Sequence, residues 1–362
     1  MSKYVPTIHP WNQRIWQSLT NEPDRANHAV LFNGNQGLGK LDLAVALAHF
    51  VLTETHGQSE ALFDAATHPD FHVVMPEQAV LNLEADQSSA NNDAVPGSAQ
   101  QASLVATYAH RYLQKHGGKP KRTISIDQVR NLNEALTTFP HISKYRVIII
   151  ARAETMNRNA ANALLKSLEE PPANTLFVIV SDEASKLAKT VRSRCSLVNF
   201  RAPDRESAEA WLELQNVMPV HDVASHLAMA NNHPLLACRL FRNDYIDTLK
   251  SVFTDVNGLW NRSRQPLQVA QNWQKIGALR CVEILQKLTT DLLRCSLSEA
   301  PAAVFFPVQE SWVKSVSSRI SRAKLLDAVD ELIYARKMLS TTVDELLVLE
   351  AVSLKLRQLP AY

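Results

Sequence analysis

The chain has only four cysteines, Cys195, Cys238, Cys281 and Cys295, and no two of them stand at the C-x-x-C spacing of a zinc or dithiol site. That scatter argues against a disulfide scaffold and predicts reduced, mostly buried thiols in a cytoplasmic protein. Long apolar runs are also missing, for no uninterrupted stretch reaches the roughly 18 residues of a membrane span. Met1-Ser2-Lys3-Tyr4 does not lead a basic segment into an apolar run, so neither secretion nor membrane insertion is expected. Nor does either charge dominate: 38 basic side chains oppose 36 acidic ones, a formal charge of +2. Any contact with nucleic acid must then use a local patch rather than a global field. What is present is 46% hydrophobic residues over 362 positions, enough for two or three domains with cores of their own.

Strand-like runs at His28–Asn33, Phe71–Met75, Arg146–Ala151, Thr175–Ser181 and Leu197–Phe200 alternate with helical patterns. This alternation predicts an α/β domain with a mostly parallel sheet. The β-branched run Val147-Ile148-Ile149-Ile150 has the character of a central strand buried on both faces. Ser125-Ile126-Asp127-Gln128 reads as a capping box opening a helix over about 126–138, with Ile124 and Val129 as its hydrophobic staple. Between Glu77 and Pro120 the pattern dissolves into Gln, Ser, Asn and Ala, and a mobile insertion is expected over 77–120. Its basic end, Lys115, Lys119, Lys121 and Arg122, reads first as a solvated loop end and second as a contact for a phosphate backbone. After Phe200 the strand signal stops. Leu325, Leu326, Val329, Leu332 and Ile333 share one helical face, and Leu346, Leu347, Leu349, Val352 and Leu356 another.

Val30 to Leu41 runs strand, glycine-rich turn, helix, and Gly34 to Lys40 fits G-x-x-x-x-G-K, the pattern of a phosphate-binding loop. Gly34, Gly37 and Gly39 let backbone amides turn toward phosphate oxygens, and a helix N-terminus favours the negative charge. The next position calls for a Ser or Thr hydroxyl on Mg²⁺, and it is Leu41, whose aliphatic side chain is no ligand. Two outcomes stay open from the residues: a weak cradle built on Lys40, or a retained turn with no ligand.

Asn157 to Pro172, followed by Ser193-Arg194-Cys195, resembles the signature of bacterial DNA polymerase III clamp-loader subunits, a family of AAA+ type. His9-Pro10-Trp11, Asn27-His28-Ala29, Thr67-His68-Pro69-Asp70 and Ile126-Asp127-Gln128-Val129-Arg130 resemble its delta-prime, or stator, branch. The resemblance implies an AAA+-like α/β domain over 1–200, a small helical lid over 201–243 and a helical collar over 244–362 that oligomerises. It also implies that Asp-Glu should end the central strand; Ala151 and Arg152 stand there, so both the metal carboxylate and the water-polarising acid are gone. By the same resemblance, Arg194 of the Ser193-Arg194-Cys195 motif acts in trans, stabilising charge in a neighbour's ATP site. Ser181 and Asp182 fall where active members carry a polar sensor residue, and Leu235 replaces a sensor arginine.

The family's four zinc-binding cysteines have no counterpart near 53–67, and His49, His56, His68 and His72 lack both thiolate partners and ligand spacing. No metal or other cofactor is expected, apart from weak nucleotide binding. The implied partners are gamma/tau-type ATPase and delta subunits, the sliding clamp indirectly, and primer-template DNA, with no membrane. The expected role is a non-hydrolysing component of the DNA-directed DNA polymerase holoenzyme, acting in DNA replication. The alternatives are an active ATPase motor subunit of the same complex, or a DNA-binding scaffold with a relic ATPase fold.

Overall fold

The computed structural model describes residues 3–21, 28–53, 57–88, 98–113, 120–242, 245–298, 304–339, 341 and 343–359. Two compact units emerge, Met1–Ser207 with Leu214–Val217, and Ala208–Glu213 with Met218–Tyr362.

The first unit is built on a five-stranded sheet of order β2-β3-β4-β1-β5, where β1 is Ala29–Asn33, β2 Phe71–Val74, β3 Arg146–Ala151, β4 Thr175–Ser181 and β5 Ser196–Asn199. Every pairing is parallel. Helices α1 (Gln13–Thr20), α2 (Lys40–Thr53), α3 (Gly57–Asp64), α4 (Glu77–Ser88), α5 (Ser98–His110), α6 (Ile126–Ala135), α7 (Arg158–Glu169) and α8 (Lys189–Arg192) accompany it. The expected α/β fold with a parallel sheet is thus present, and β3 is buried at every position because apolar clusters lie on both sheet faces. α6 starts as the sequence dictates. Gln128 N donates to Ser125 Oγ and Ser125 N to Gln128 Oε1, while Ile124 and Val129 are both buried.

The expectation of a mobile insertion over 77–120 is corrected across its described residues, which form α4 and α5. The two helices pack on each other, α5 packs on β2, and Ala79, Val80, Leu104, Val105, Tyr108 and Ala109 are buried. Polar composition was the wrong criterion here. Ala, Gln and Leu are strong helix formers, and Val105, Tyr108 and Tyr112 recur at helical spacing, so a narrow apolar stripe suffices to dock the segment. Asn27, His56, Lys115, Lys119 and the centre of the segment, 89–97, lie outside the described residues.

Below α5, Tyr112 Oη lies 2.5 Å from Nδ1 of His72, which is only 6% exposed. Burial above all, then the charges of Arg146 and Arg111, hold the His72 pKa down to about 3. An unfolded histidine titrates near 6.5, so between about pH 6.5 and 3 the unfolded chain binds a proton that the folded one refuses. Stability contributed by neutral His72 is complete above that window and falls through it by about 1.4 kcal/mol per pH unit. His68 and His49, also lowered mainly by burial, act in the same direction. Urea unfolding midpoints measured between pH 7 and 4.5 are expected to fall less steeply in a His72→Asn variant than in the wild type.

Among its described residues the second unit is built of helices. Its core gathers Trp273, Leu285, Leu325, Leu332, Leu349 and Val352, and Trp260 Nε1 donates to Leu356 O at 2.9 Å. On the helix Arg322–Met338, Leu325, Ala328, Leu332 and Ala335 form the buried stripe. Leu326 and Ile333, next to it in sequence, are rotated outward and exposed.

Candidate functional site

The glycine-rich turn joins β1 to α2 at the C-terminal edge of the sheet, the edge where open parallel sheets bind ligands. Gly39 has φ +78°, and a Cβ there would lie 2.3 Å from His9 Cδ2, so only glycine fits against the N-terminal segment. That segment covers the turn. Trp11 Nε1 and Asn12 Nδ2 donate to Leu38 O at 3.0 and 2.8 Å. His9 stacks on Trp11, with its Nε2 2.8 Å from Asp42 Oδ2.

Lys40 is the decisive side chain. In a working phosphate loop this ammonium reaches the β- and γ-phosphates. Here it is only 4% exposed and pairs with Asp182 Oδ1 at 2.8 Å, while donating to Gly34 O at 2.5 Å and Asn35 O at 2.6 Å. An ammonium has three donors, and three protein oxygens take them. Asp182 is brought there by register. β4 pairs Ser181 with Asn33 of β1, so the residue after β4 lies beside the start of the turn. Sequence reading placed Asp182 beside Ser181 at the sensor position closing the strand; its partner Lys40 required the sheet order.

The positions where the resemblance expects metal ligands hold Leu41, Ala151 and Arg152. Leu41 packs half-buried against the apolar cluster around Val30, Phe32 and Leu43. Ala151 is a buried methyl at the end of β3, and Arg152 follows in the left-handed region with φ 56° and ψ 45°. Thr155 Oγ1 donates to Arg152 O at 2.7 Å, which helps hold that conformation. Ser181 is fully buried and its Oγ accepts from Glu183 N at 3.2 Å. A residue absent from the sequence reading is Glu154, whose Oε2 accepts from Asp182 N at 3.2 Å. These side chains do not fit a magnesium–nucleotide complex: the loop's cation is engaged, and an aliphatic side chain, a methyl and a guanidinium hold the positions a metal needs. Leu235 is half-buried in the first turn of the helix Pro234–Arg242.

Of the histidines near 53–67, His68 is held within the protein. His68 Nε2 lies 3.1 Å from both Ser59 Oγ and Ser143 Oγ, and its Nδ1 accepts from Asp70 N at 3.1 Å. Both ring nitrogens are therefore engaged, leaving neither lone pair directed at a metal.

Arg194 belongs to the opposite edge of the sheet. It precedes β5, whose first residue pairs with Val30 near the start of β1, while the phosphate-type turn follows the end of β1. Four residues of parallel strand separate the two edges, about 13 Å at about 3.3 Å per residue. The Arg194 side chain, 33% exposed, pairs with Glu169 at the end of α7, and its Nη1 donates to Thr190 O at 2.8 Å. Ser193 Oγ donates to Thr190 O at 3.2 Å. Cys195 contacts Val191 O through Sγ, and burial pushes its thiol up to about 11, which makes it a packing residue rather than a nucleophile. The structure thus gathers Gly34, Gly39, Lys40, Ala151, Arg152 and Ser181 at one edge and leaves Ser193, Arg194 and Cys195 at the other.

The family described as "DNA polymerase III, delta subunit" matches residues 11–204, more than half of the 362. The DNA polymerase III subunit delta' of Pseudomonas aeruginosa is 26% identical over 364 aligned residues, covering 98% of each chain. That of Haemophilus influenzae is 26% identical over 302, covering 81% of this chain and 79% of its own. A gamma subunit-related protein of DNA polymerase III from Thermotoga maritima superposes with a TM-score of 0.45 at 14% identity, covering 95% of this chain and 98% of its own. With the parallel sheet, the glycine turn and the Ser-Arg-Cys motif in their expected order, the chain belongs to the DNA polymerase III delta-subunit family, among its delta-prime members.

Proposed function

We propose that this chain is the non-hydrolysing stator of a clamp loader, joining a ring of ATPase subunits and supplying Arg194 to the nucleotide site of one neighbour. The observation that carries this reading is an asymmetry. At one edge of the sheet the loop lysine is neutralised by Asp182 and the metal positions hold Leu41, Ala151 and Arg152. At the other edge a guanidinium stands partly exposed. In the neighbour, water attacks the γ-phosphorus, the bond to the bridging oxygen breaks, and ADP and phosphate leave. Arg194 contributes positive charge where negative charge accumulates on the transferred group.

Its partners are the gamma/tau-type ATPase and delta subunits, with the sliding clamp and primer-template DNA engaged through the assembled complex in the cytoplasm. The helical unit, Ala208–Glu213 with Met218–Tyr362, supports the assembly role. Leu326, Ile333 and Tyr334 on Arg322–Met338, and Leu347 and Leu354 on Glu345–Arg357, are exposed at two-turn spacings suited to a partner helix. The reading is tested by the clamp- and primed-DNA-stimulated ATPase rate of a reconstituted complex carrying Arg194→Ala. ATP hydrolysis by the isolated chain would instead favour an active motor with unusual metal ligands.

The self-satisfied loop has a consequence of its own. Asp182→Asn removes the carboxylate that competes with phosphate for Lys40, so a fluorescent ATP analogue is expected to bind at least about tenfold more tightly, a gain of about 1.4 kcal/mol. Equal affinity of variant and wild type in a titration would mean that the Gly34 and Asn35 carbonyls close the loop without Asp182.

A further inference from the structure

We propose that Glu169 is a positioning residue for Arg194, holding the guanidinium ready for the phosphate of the adjoining subunit; this rests on the reading of Arg194 as a trans-acting group. Three observations carry it. Arg194 is fixed along one side only. Its Nη1 is held by Thr190 O at 2.8 Å and Ser193 Oγ at 3.5 Å and its Nη2 by Glu169, while Nε makes no hydrogen bond among the described residues. A planar fork has five donors, so a guanidinium held this way keeps N–H groups for a second anion.

The second observation is that Thr190 and Ser193 belong to the arginine's own turn and move with it, whereas Glu169 ends α7. Glu169 is therefore the contact that ties the arginine to a separate rigid element. Without it a long, flexible side chain must be ordered at each encounter with the nucleotide. The third concerns Glu169 itself. A carboxylate in the last turn of a helix faces the negative end of the helix dipole, an unfavourable position unless a cation answers it. Arg194 is that cation. Glu170, the next residue, is also exposed, yet it makes no side-chain hydrogen bond or ion pair among the described residues, so it provides an internal control.

Half-exposed ion pairs contribute little to folding, so the effect of Glu169 should be separable from stability. The experiment measures kcat and KM for ATP in the stimulated, fully reconstituted complex with Glu169→Gln, Glu169→Asp, Glu170→Gln and Arg194→Ala, together with the Tm of each variant chain. Glu169→Gln is expected to lower kcat three- to tenfold, with KM within twofold, Tm unchanged and assembly intact. Glu169→Asp should recover part of the rate, and Glu170→Gln should match the wild type. Because Glu169 acts through Arg194, the double variant should be no slower than Arg194→Ala alone. If Arg194→Ala slows hydrolysis while Glu169→Gln matches wild type, or if Glu169→Gln slows the Arg194→Ala complex further, the positioning role is overturned and the trans-acting arginine stands. If Arg194→Ala has no effect, the reading itself falls and takes this inference with it.

Discussion

Arg194→Ala is expected to slow clamp- and primed-DNA-stimulated hydrolysis at least tenfold, with the complex still assembled. Removing a guanidinium that stabilises a transferring phosphoryl group costs on the order of 10³–10⁵ in rate at the site it serves. The measured fall is smaller if neighbouring sites continue to turn over independently, and approaches that range if the ring must fire as a unit. Arg194→Lys should fall between wild type and alanine, since an ammonium keeps the charge but not the planar, two-pronged geometry. Size-exclusion profiles of the variant complexes distinguish lost chemistry from lost assembly. An unchanged rate would leave a purely structural stator. The prediction is specific to a neighbour's site because Arg194 is separated from its own loop by the length of β5.

Asp70→Ala is expected to destabilise the sheet unit by about 3–5 kcal/mol, read as a lowered urea midpoint. The Asp70 carboxylate is fully buried and accepts from the backbone N–H groups of His141, Ile142 and Ser143 at 2.6, 2.8 and 2.9 Å. Its own carbonyl accepts from Val147 N at 2.9 Å. Each charge-assisted bond contributes more than a neutral one, and removing the acceptor strands donors away from water. Asp70→Asn keeps one acceptor oxygen but turns an N–H₂ toward N–H donors, so it should recover only part of the loss. The segment held this way feeds β3, which carries Ala151 and Arg152 to the site edge. A stability of the variant within about 0.5 kcal/mol of wild type would show that these N–H groups are satisfied otherwise.

Much of this was legible in the chain. The β-branched run of β3, the Ser125–Gln128 capping box and the glycine turn depend on neighbours within a few residues, where periodicity and turn chemistry act directly. The aliphatic and cationic side chains of Leu41, Ala151 and Arg152 were equally visible, since a side chain without a lone pair is a non-ligand in any fold. The residues 77–120 were misread because composition registers polarity but not the one stripe that docks a helix: Val105, Tyr108 and Tyr112 become an interface only once β2 offers an apolar surface.

The sequence by itself thus determined where the strands run, and that a glycine turn and an arginine lay in recognisable motifs. The tertiary structure decided what those residues do to one another. Asp182 and Lys40 are 142 positions apart, and they meet only because β4 and β1 are neighbours in register, so the occupied loop follows from sheet order and not from the motif. The pairing of Glu169 with Arg194 and the three amides gathered by Asp70 arise in the same way. Charges and hydrogen bonds act over a few ångströms of space, and only the folded chain sets which residues come within that reach.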